Sequence, residues 1–265
     1  MMSMKTALNT SALVTADSPK GQRATETFRA QYNKAGLDED SAQILNEHPG
    51  FAAYLLTGIC RFSTKAPDYT LAQTILGKDF ITPEEVAKLR GFTYNEDQLA
   101  KFGDTLPSQE VLVWCRDNGY MVIAGPNKPM SLLEVREMKS GYFYSKSGGW
   151  YSDQKFARND KADTRWIIVR KEPVPESTSK TWDEQQALLS DVEITPNAAE
   201  VVWAITTYKA VRGIYLLPNI YVRTSSLGSG GNRVLVAGFD SGGLGVDSGW
   251  DSRRDVGVGV SSARK

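Results

Sequence analysis

His48, beside Pro49-Gly50, is the single histidine of the 265-residue chain, and it limits the chemistry this sequence can do. A base or metal ligand at that position would act alone, and no Ser-His-Asp or Cys-His arrangement can be placed. An exposed or helix-capping histidine is the expectation. Cys60 and Cys115 lack CxxC spacing and precede the Gly-rich tail, which argues against a zinc site. Their separation suits burial or a reducing compartment better than a disulfide framework, with a single bridge left open. Asp240, Asp247, Asp251 and Asp255 crowd the end of the chain but do not follow DxDxDG loop spacing. The segment GGLGVDSGW over 242–250 matches part of the calcium-binding nonapeptide. It occurs once, carries Gly249 where a large apolar residue belongs, and such turns hold calcium only in tandem stacks. The reading is therefore no catalytic residue, no metal and no cofactor, with the four aspartates as turn carboxylates in solvent.

Two other features could build a binding surface. The run YFYSKSGGWY supplies Tyr142, Phe143, Tyr144, Trp150 and Tyr151, whose faces could stack on sugar rings or bases. Aromatics alternating along a strand more often form core and cross-strand pairs, and core is the expectation here. Trp166, Trp182 and Trp203, each at an apolar position of its element, are assigned to core as well. The second feature is the tail: from Val211 to Arg264 there is no Lys, Glu, Gln, Met or His, although the rest of the chain uses all five. Gly, Ser, Asp, Arg, Val, Ala and Leu take their place. All seven can be reached from an AAC-type codon by replacing only its adenines, whereas Trp250 cannot.

The elements that must position these residues divide the chain in two. Residues 25–32, 40–46 and 50–61 carry apolar positions at helical spacing, and TPEEVAKLRG has Thr82 as cap, Pro83 in the first turn and Gly91 as stop. NEDQLAKFG repeats the pattern from Asn95 to Gly103. After DTLPS the period changes: VLVWC and YMVIAG, joined by RDNG, read as a hairpin turning at Asn118-Gly119. SLLEVREM is a helix capped by Ser131, RWIIVRK a strand, WDEQQALL and PNAAEVVWAITTYKAV two helices, and NIYVRT, RVLVAGF, GLGV and VGVGVSS short strands. The expected organisation is α+β: a flexible tail over 1–20, a helical domain over 21–105 and a mixed domain over 106–265.

Composition bounds the rest. Lys+Arg and Asp+Glu balance at 31 each, so no global field recruits nucleic acid or an anionic membrane. Hydrophobic residues make up 41%, enough to fill a core. No apolar run reaches membrane-spanning length and the N-terminal segment lacks a strong signal-peptide core, so a soluble protein, cytoplasmic or virion-associated, is expected.

The order strand, two helices, short strands and a Gly-rich end resembles the C-type-lectin-like fold, in which first and last strands pair beside an irregular ligand-facing surface. The tail more specifically resembles the variable proteins of diversity-generating retroelements, whose C-terminal segment is rewritten at adenines. The likeness spans about residues 165–265 and is carried by Tyr221, Val222, Arg223, Arg233, Val234, Val236, Phe239, Asp240, Gly243, Leu244, Val246, Trp250, Asp251, Arg254, Asp255, Gly257, Ser261, Arg264 and Lys265. It implies that the intervening positions are variable and ligand-binding: Leu235, Ala237, Gly238, Ser241, Gly242, Gly245, Asp247, Ser248, Gly249, Ser252 and Arg253. Formylglycine-generating enzymes share the broader fold, but their chemistry resembles a redox and copper reaction needing paired cysteines near the C-terminus, and this tail has none.

The function implied is non-enzymatic binding of a protein or cell-surface ligand through a hypervariable surface, by a monomer that engages neither nucleic acid nor the membrane interior. The alternatives are a formylglycine-generating-type enzyme or degenerate relative, and a fixed virion or adhesin module. Three structural expectations follow. RWIIVRK and VGVGVSS share a sheet, packed through Trp166, Ile168 and Val258; Trp250 is buried; and the variable positions share one exposed face while Val234, Val236, Phe239, Leu244 and Val246 point inward.

Overall fold

The structure, a computed structural model, describes residues 15–55 and 67–265. Two compact units divide at Ser63 and Thr64. In the first, Ser18 caps α1 (Pro19–Ala35) through a hydrogen bond from the Gly21 amide, and Gly36 ends it at φ 63°. Asp38 caps α2 (Glu39–Glu47), which has no buried residue. His48 follows α2, exposed, and accepts a 3.2 Å hydrogen bond from the Gly50 amide on Nδ1, the capping role expected of it. Most of the tail expected over 1–20 lies outside the described residues, as do Cys60 and the end of the helix expected over 50–61, of which 51–55 are helical.

The second unit is a mixed α+β body. Capping chemistry sets its helices as the sequence implies. Thr82 and Glu85 form a reciprocal capping box at α4 (Pro83–Arg90), which follows α3 (Thr70–Leu76) and ends at Gly91 with φ 74°. Asn95 and Gln98 do the same for α5 (Glu96–Asp104), which runs through Gly103 instead of stopping there. Ser131 and Glu134 box α7 (Leu132–Met138). The hairpin expected across 111–124 is corrected. VLVWC lies in α6 (Gln109–Asp117), because Ser108 caps it and Leu112 and Cys115, three residues apart, both face the core. Asn118 and Gly119 end that helix, Gly119 at φ 74°, and only YMVIA forms a strand.

That strand, β2 (Tyr120–Ala124), is buried along its whole length. It sits in a five-stranded sheet ordered β1 (Phe80–Ile81), β2, β5 (Trp166–Arg170), β11 (Ala263–Arg264) and β6 (Glu193–Ile194); β1 runs parallel to β2 and the other pairs are antiparallel. A second sheet is ordered β10 (Val258–Val260), β7 (Tyr221–Leu227), β8 (Arg233–Asp240) and β9 (Gly243–Gly249). A small pair, β3 (Met130–Ser131) and β4 (Lys161–Ala162), flanks α7. Helix α10 (Ala198–Arg212) touches β5 of the first sheet and β7 and β8 of the second, and its residues from Ala198 to Tyr208 are buried. That stretch is covered on every side because both sheets pack on it, and the polar groups within it are partnered, Glu200 by Arg165 and the Thr206 and Thr207 hydroxyls by Arg90. Trp203 at its centre donates to the Ala124 carbonyl at 3.0 Å, and Trp166 donates to the Phe102 carbonyl at 2.9 Å. Each indole thus buries its ring without stranding its N–H.

Four expectations change here. Phe80, Tyr94 and Phe102, assigned to a separate helical domain, share one core with Trp166 and Trp203, so the division falls at 63/64 and not at 105/106. Val258–Val260 lies in the second sheet, paired with β7, while RWIIVRK pairs with the two residues beyond Ser261-Ser262. The tail crosses from one sheet to the other there. Trp182 is half-buried, its ring covered by the Arg233 guanidinium 3.9 Å from the centroid. Trp250 is 61% exposed. No helix among the described residues is long and apolar enough to cross a membrane.

The two indoles should therefore separate in a stability assay. Trp203→Ala lowers the unfolding free energy by about 3–5 kcal/mol, the cost of emptying a core site. Trp250→Ala changes it by less than about 1 kcal/mol. Urea unfolding of both variants checks the pair.

Candidate ligand-binding face

The face is built on β7, β8 and β9. In their register Tyr221, Ala237 and Gly245 stand opposite one another, and so do Arg223, Leu235 and Asp247; residues directly opposite share a face. Val222, Val236 and Val246 form the alternate row; Val222 and Val236 are buried, on the two strands that α10 packs against. A bulge between Ala237 (φ 129°) and Gly238 (φ 58°) breaks the alternation and turns Phe239 inward, fully buried.

The outer row is not open. Tyr221 lies across it: a Cβ added at Gly245 would run into the Tyr221 hydroxyl and stand 3.0 Å from the Ala237 carbonyl oxygen. Gly245 is therefore the gap that lets the tyrosine ring pack flat on the sheet. The free edge of β9 is covered too. Tyr144 donates from its amide to the Leu244 carbonyl at 3.0 Å, and Trp150 Nε1 donates to the Val246 carbonyl at 2.8 Å. Gly243, at φ 110°, lets that segment approach, since a Cβ there would be 2.6 Å from the Tyr144 nitrogen. These contacts blunt an edge that would otherwise pair with a foreign strand.

What remains is a groove of about 550 Å³ lined by Tyr144, Ser145, Trp150, Tyr221, Val246 and four glycines, with Asp240 and Asp247 as its charged groups. Neither lysine nor arginine lines it. Asp240 Oδ1 accepts from the Gly242 amide at 2.7 Å and Asp247 Oδ1 from the Ser248 amide at 2.8 Å, so each carboxylate is oriented by a neighbouring backbone amide. Burial, and then the charges of Asp247 and Asp240, push the Tyr221 phenol above its ordinary value. The phenol stays a neutral hydrogen-bonding group at physiological pH.

A second exposed region follows β9. Its backbone is clamped by Arg223, which is 1% exposed: Nη2 donates to the carbonyls of Trp250 and Arg253, and Nη1 to the Lys180 carbonyl and Gln185 Oε1. The Trp182 amide donates to the Asp251 carbonyl at 2.8 Å and the Ser179 amide to the Asp255 carbonyl at 2.9 Å. Helix α9 (Trp182–Gln186) and the residues before it thus hold the 250–255 loop in one conformation while its side chains reach solvent.

The expected variable positions are only partly brought together. Gly238, Gly242, Gly245 and Asp247 line the groove, and Ser241 is exposed at the adjoining turn. Ser252 and Arg253 are exposed on the clamped loop, and Ser248 is half-buried. Leu235, Ala237 and Gly249 are buried, a correction with a physical cause: the outer face of β8 lies beneath Tyr221 and beside Arg223, the bulge fixes Ala237 at a backbone angle few side chains accept, and Gly249 on β9 lies against the Leu235 side chain. Val234, Val236, Phe239 and Leu244 point inward as expected, and Val246 is half-buried at the groove. Of the aromatic run assigned to core, Phe143 and Tyr151 are buried, Tyr142 is intermediate, and Tyr144 and Trp150 are exposed groove walls. The Gly148-Gly149 pair before Trp150 breaks the strand period that a core pair needs, a local sign against that assignment, while their place at a groove depends on how they pack on β9. Among the described residues no three His, Cys, Asp or Glu side chains converge. Asp251 pairs with Arg233 at 3.2 Å, and Asp255 accepts from the Gly257 amide. Cys115 is buried, its thiol pushed up to about 11 by burial. Comparisons with known protein families, with curated proteins and with solved structures find no match for this chain.

Gly245→Ala should cost about 1–3 kcal/mol, as overpacking does. In a Tyr221→Phe background, which lacks the obstructing hydroxyl, the same change should cost measurably less, a coupling that a double-mutant cycle in urea reads directly. Ser241→Ala and Ser252→Ala should stay within about 0.5 kcal/mol.

Proposed function

We propose that the protein is a non-enzymatic ligand-binding protein whose C-terminal surface displays diversified side chains on a C-type-lectin-like scaffold, of the kind that diversity-generating retroelements rewrite. The observation that carries the reading is where these residue types lie. Of the eleven expected variable positions, all reachable by adenine replacement, Ser241, Gly242, Asp247, Ser252 and Arg253 are exposed, Gly238, Gly245 and Ser248 are half-buried, and Leu235, Ala237 and Gly249 are buried. Trp250, which adenine replacement cannot produce, is exposed among them. It serves as a fixed aromatic handle at this surface, its backbone carbonyl tied to Arg223.

Topology supports the scaffold. The last strand, β11, pairs antiparallel with β5, and between them in the chain come two helices and the antiparallel meander β7-β8-β9. Function on such a frame belongs to the surface and not to the fold. The partner class is a protein or cell-surface ligand, bound through side chains on loops positioned by a rigid body.

Two measurements test this. Sequencing around the gene should find a reverse transcriptase and a template repeat that differs from the 3′ coding region at adenines; a gene without either contradicts diversification. A displayed library randomised at Ser241, Gly242, Asp247, Ser252 and Arg253 should stay mostly folded and yield binders to unrelated targets. Randomising Leu235, Ala237 and Gly249 should unfold most members. Equal folded fractions in the two libraries would overturn the assignment of display and scaffold positions.

A further inference from the structure

We infer that the groove between Tyr144, Trp150 and Tyr221 receives lysine or arginine side chains from an extended basic segment of a partner protein. The inference rests on the ligand-binding reading and adds to it the chemistry of the ligand. Its first support is charge. The chain as a whole is balanced, yet the groove carries Asp240 and Asp247 and no cation, so its local field is negative. Each aspartate spends Oδ1 on a neighbouring amide, and among the described residues neither Oδ2 takes a hydrogen bond. Both carboxylates therefore keep an acceptor for an ammonium or guanidinium group.

The second support is the pair of open rings. Tyr144 is 77% and Trp150 42% exposed, an unusual commitment of large aromatic surface to solvent. Trp150 cannot turn away, since its N–H is fixed on the Val246 carbonyl at 2.8 Å. A cation seated against these rings gains a cation–π attraction beside the carboxylates. The third support is shape. Tyr221 and Tyr144 close over the sheet glycines while leaving an open volume of about 550 Å³, more than one side chain fills. A neutral sugar could also stack on the rings, but it would leave the carboxylate charges unused.

Charge is thus the variable to test, on the full chain, by fluorescence anisotropy with two probes. One is the labelled peptide acetyl-Gly-Lys-Arg-Gly-Lys-Arg-Gly-amide, compared with its isosteric neutral form carrying homocitrulline and citrulline; the other is neutral maltohexaose. Asp240→Asn with Asp247→Asn removes the charges and keeps the Oδ1 acceptors, so the bonds from the Gly242 and Ser248 amides survive. The basic peptide should bind, the neutral one should bind at least fivefold more weakly, and the double variant should lose about fivefold to tenfold, as expected for two partly exposed charge contacts. Tyr144→Ala should weaken binding about threefold without affecting the fold, given its exposure. Equal binding of the charged and neutral peptides, an unchanged double variant, or no peptide binding at millimolar concentration would each overturn the inference. Maltohexaose binding that falls with Tyr144→Ala but not with the Asn variant would overturn the cationic ligand while supporting the groove as a binding face. The display reading itself stands or falls on the libraries above.

Discussion

The guanidinium of Arg223 is the group on which the C-terminal surface depends. It is buried without a carboxylate in contact, and four neutral oxygens from two separate stretches of chain solvate it: the Lys180 carbonyl and Gln185 Oε1 from one, and the carbonyls of Trp250 and Arg253 from the other. Burial lowers its pKa from the ordinary arginine value while the charges of Asp251 and Asp255 oppose that fall, and an arginine keeps its proton in such a site. The same residue's carbonyl accepts from the amide and hydroxyl of Ser261, and Gln185 bonds onward to the carbonyls of Ser177 and Val258. One side chain thus joins the loop after β9, the segment leading into α9 and the strand that crosses between sheets. Such a hub is costly to break, because removing the cation takes the donor from the buried Gln185 Oε1 and from the carbonyls of Lys180 and Arg253 at once.

The outer face of the sheet follows the same economy of cover. Tyr221 lies over Gly245 and Trp150 reaches the β9 edge, so the sheet meets solvent through aromatic rings and turn residues instead of through bare backbone. That arrangement divides the tail into positions that hold and positions that are free. Leu235, Ala237 and Gly249 hold; Ser241, Gly242, Asp247, Ser252 and Arg253 are free. The free positions form two regions, one at the groove and one on the Arg223-clamped loop.

Local chemistry made much of this legible in the sequence. Thr82, Asn95 and Ser131 cap where their spacing to Glu85, Gln98 and Glu134 says they should, because a capping box needs only four residues. The α+β class and the inward set Val234, Val236, Phe239 and Leu244 followed from period and composition. What failed needed tertiary information. VLVWC has strand propensity but is a helix, since Ser108 and the burial of Leu112 and Cys115 outweigh it. Strand alternation gave Leu235 and Ala237 to solvent because nothing local reveals that Tyr221 and Arg223 cover that face. Trp250 looked like core for its size, while its position is set by a backbone carbonyl held by Arg223. Tyr144 and Trp150 were visible as aromatics, but only the packing of β9 places them on a groove.

The central claim is that buried polar groups hold a solvent-facing surface in one conformation, so that its side chains are free to change. Native-state hydrogen exchange on the wild type and on Arg223→Lys tests it most directly. Lysine keeps the charge but cannot reach four acceptors at once. The account predicts that the amides of Ser179, Trp182 and Arg253, which bond to the clamped loop or lie in it, lose protection, while those of β2 and β5 keep theirs. Unchanged protection at Ser179, Trp182 and Arg253 would contradict it.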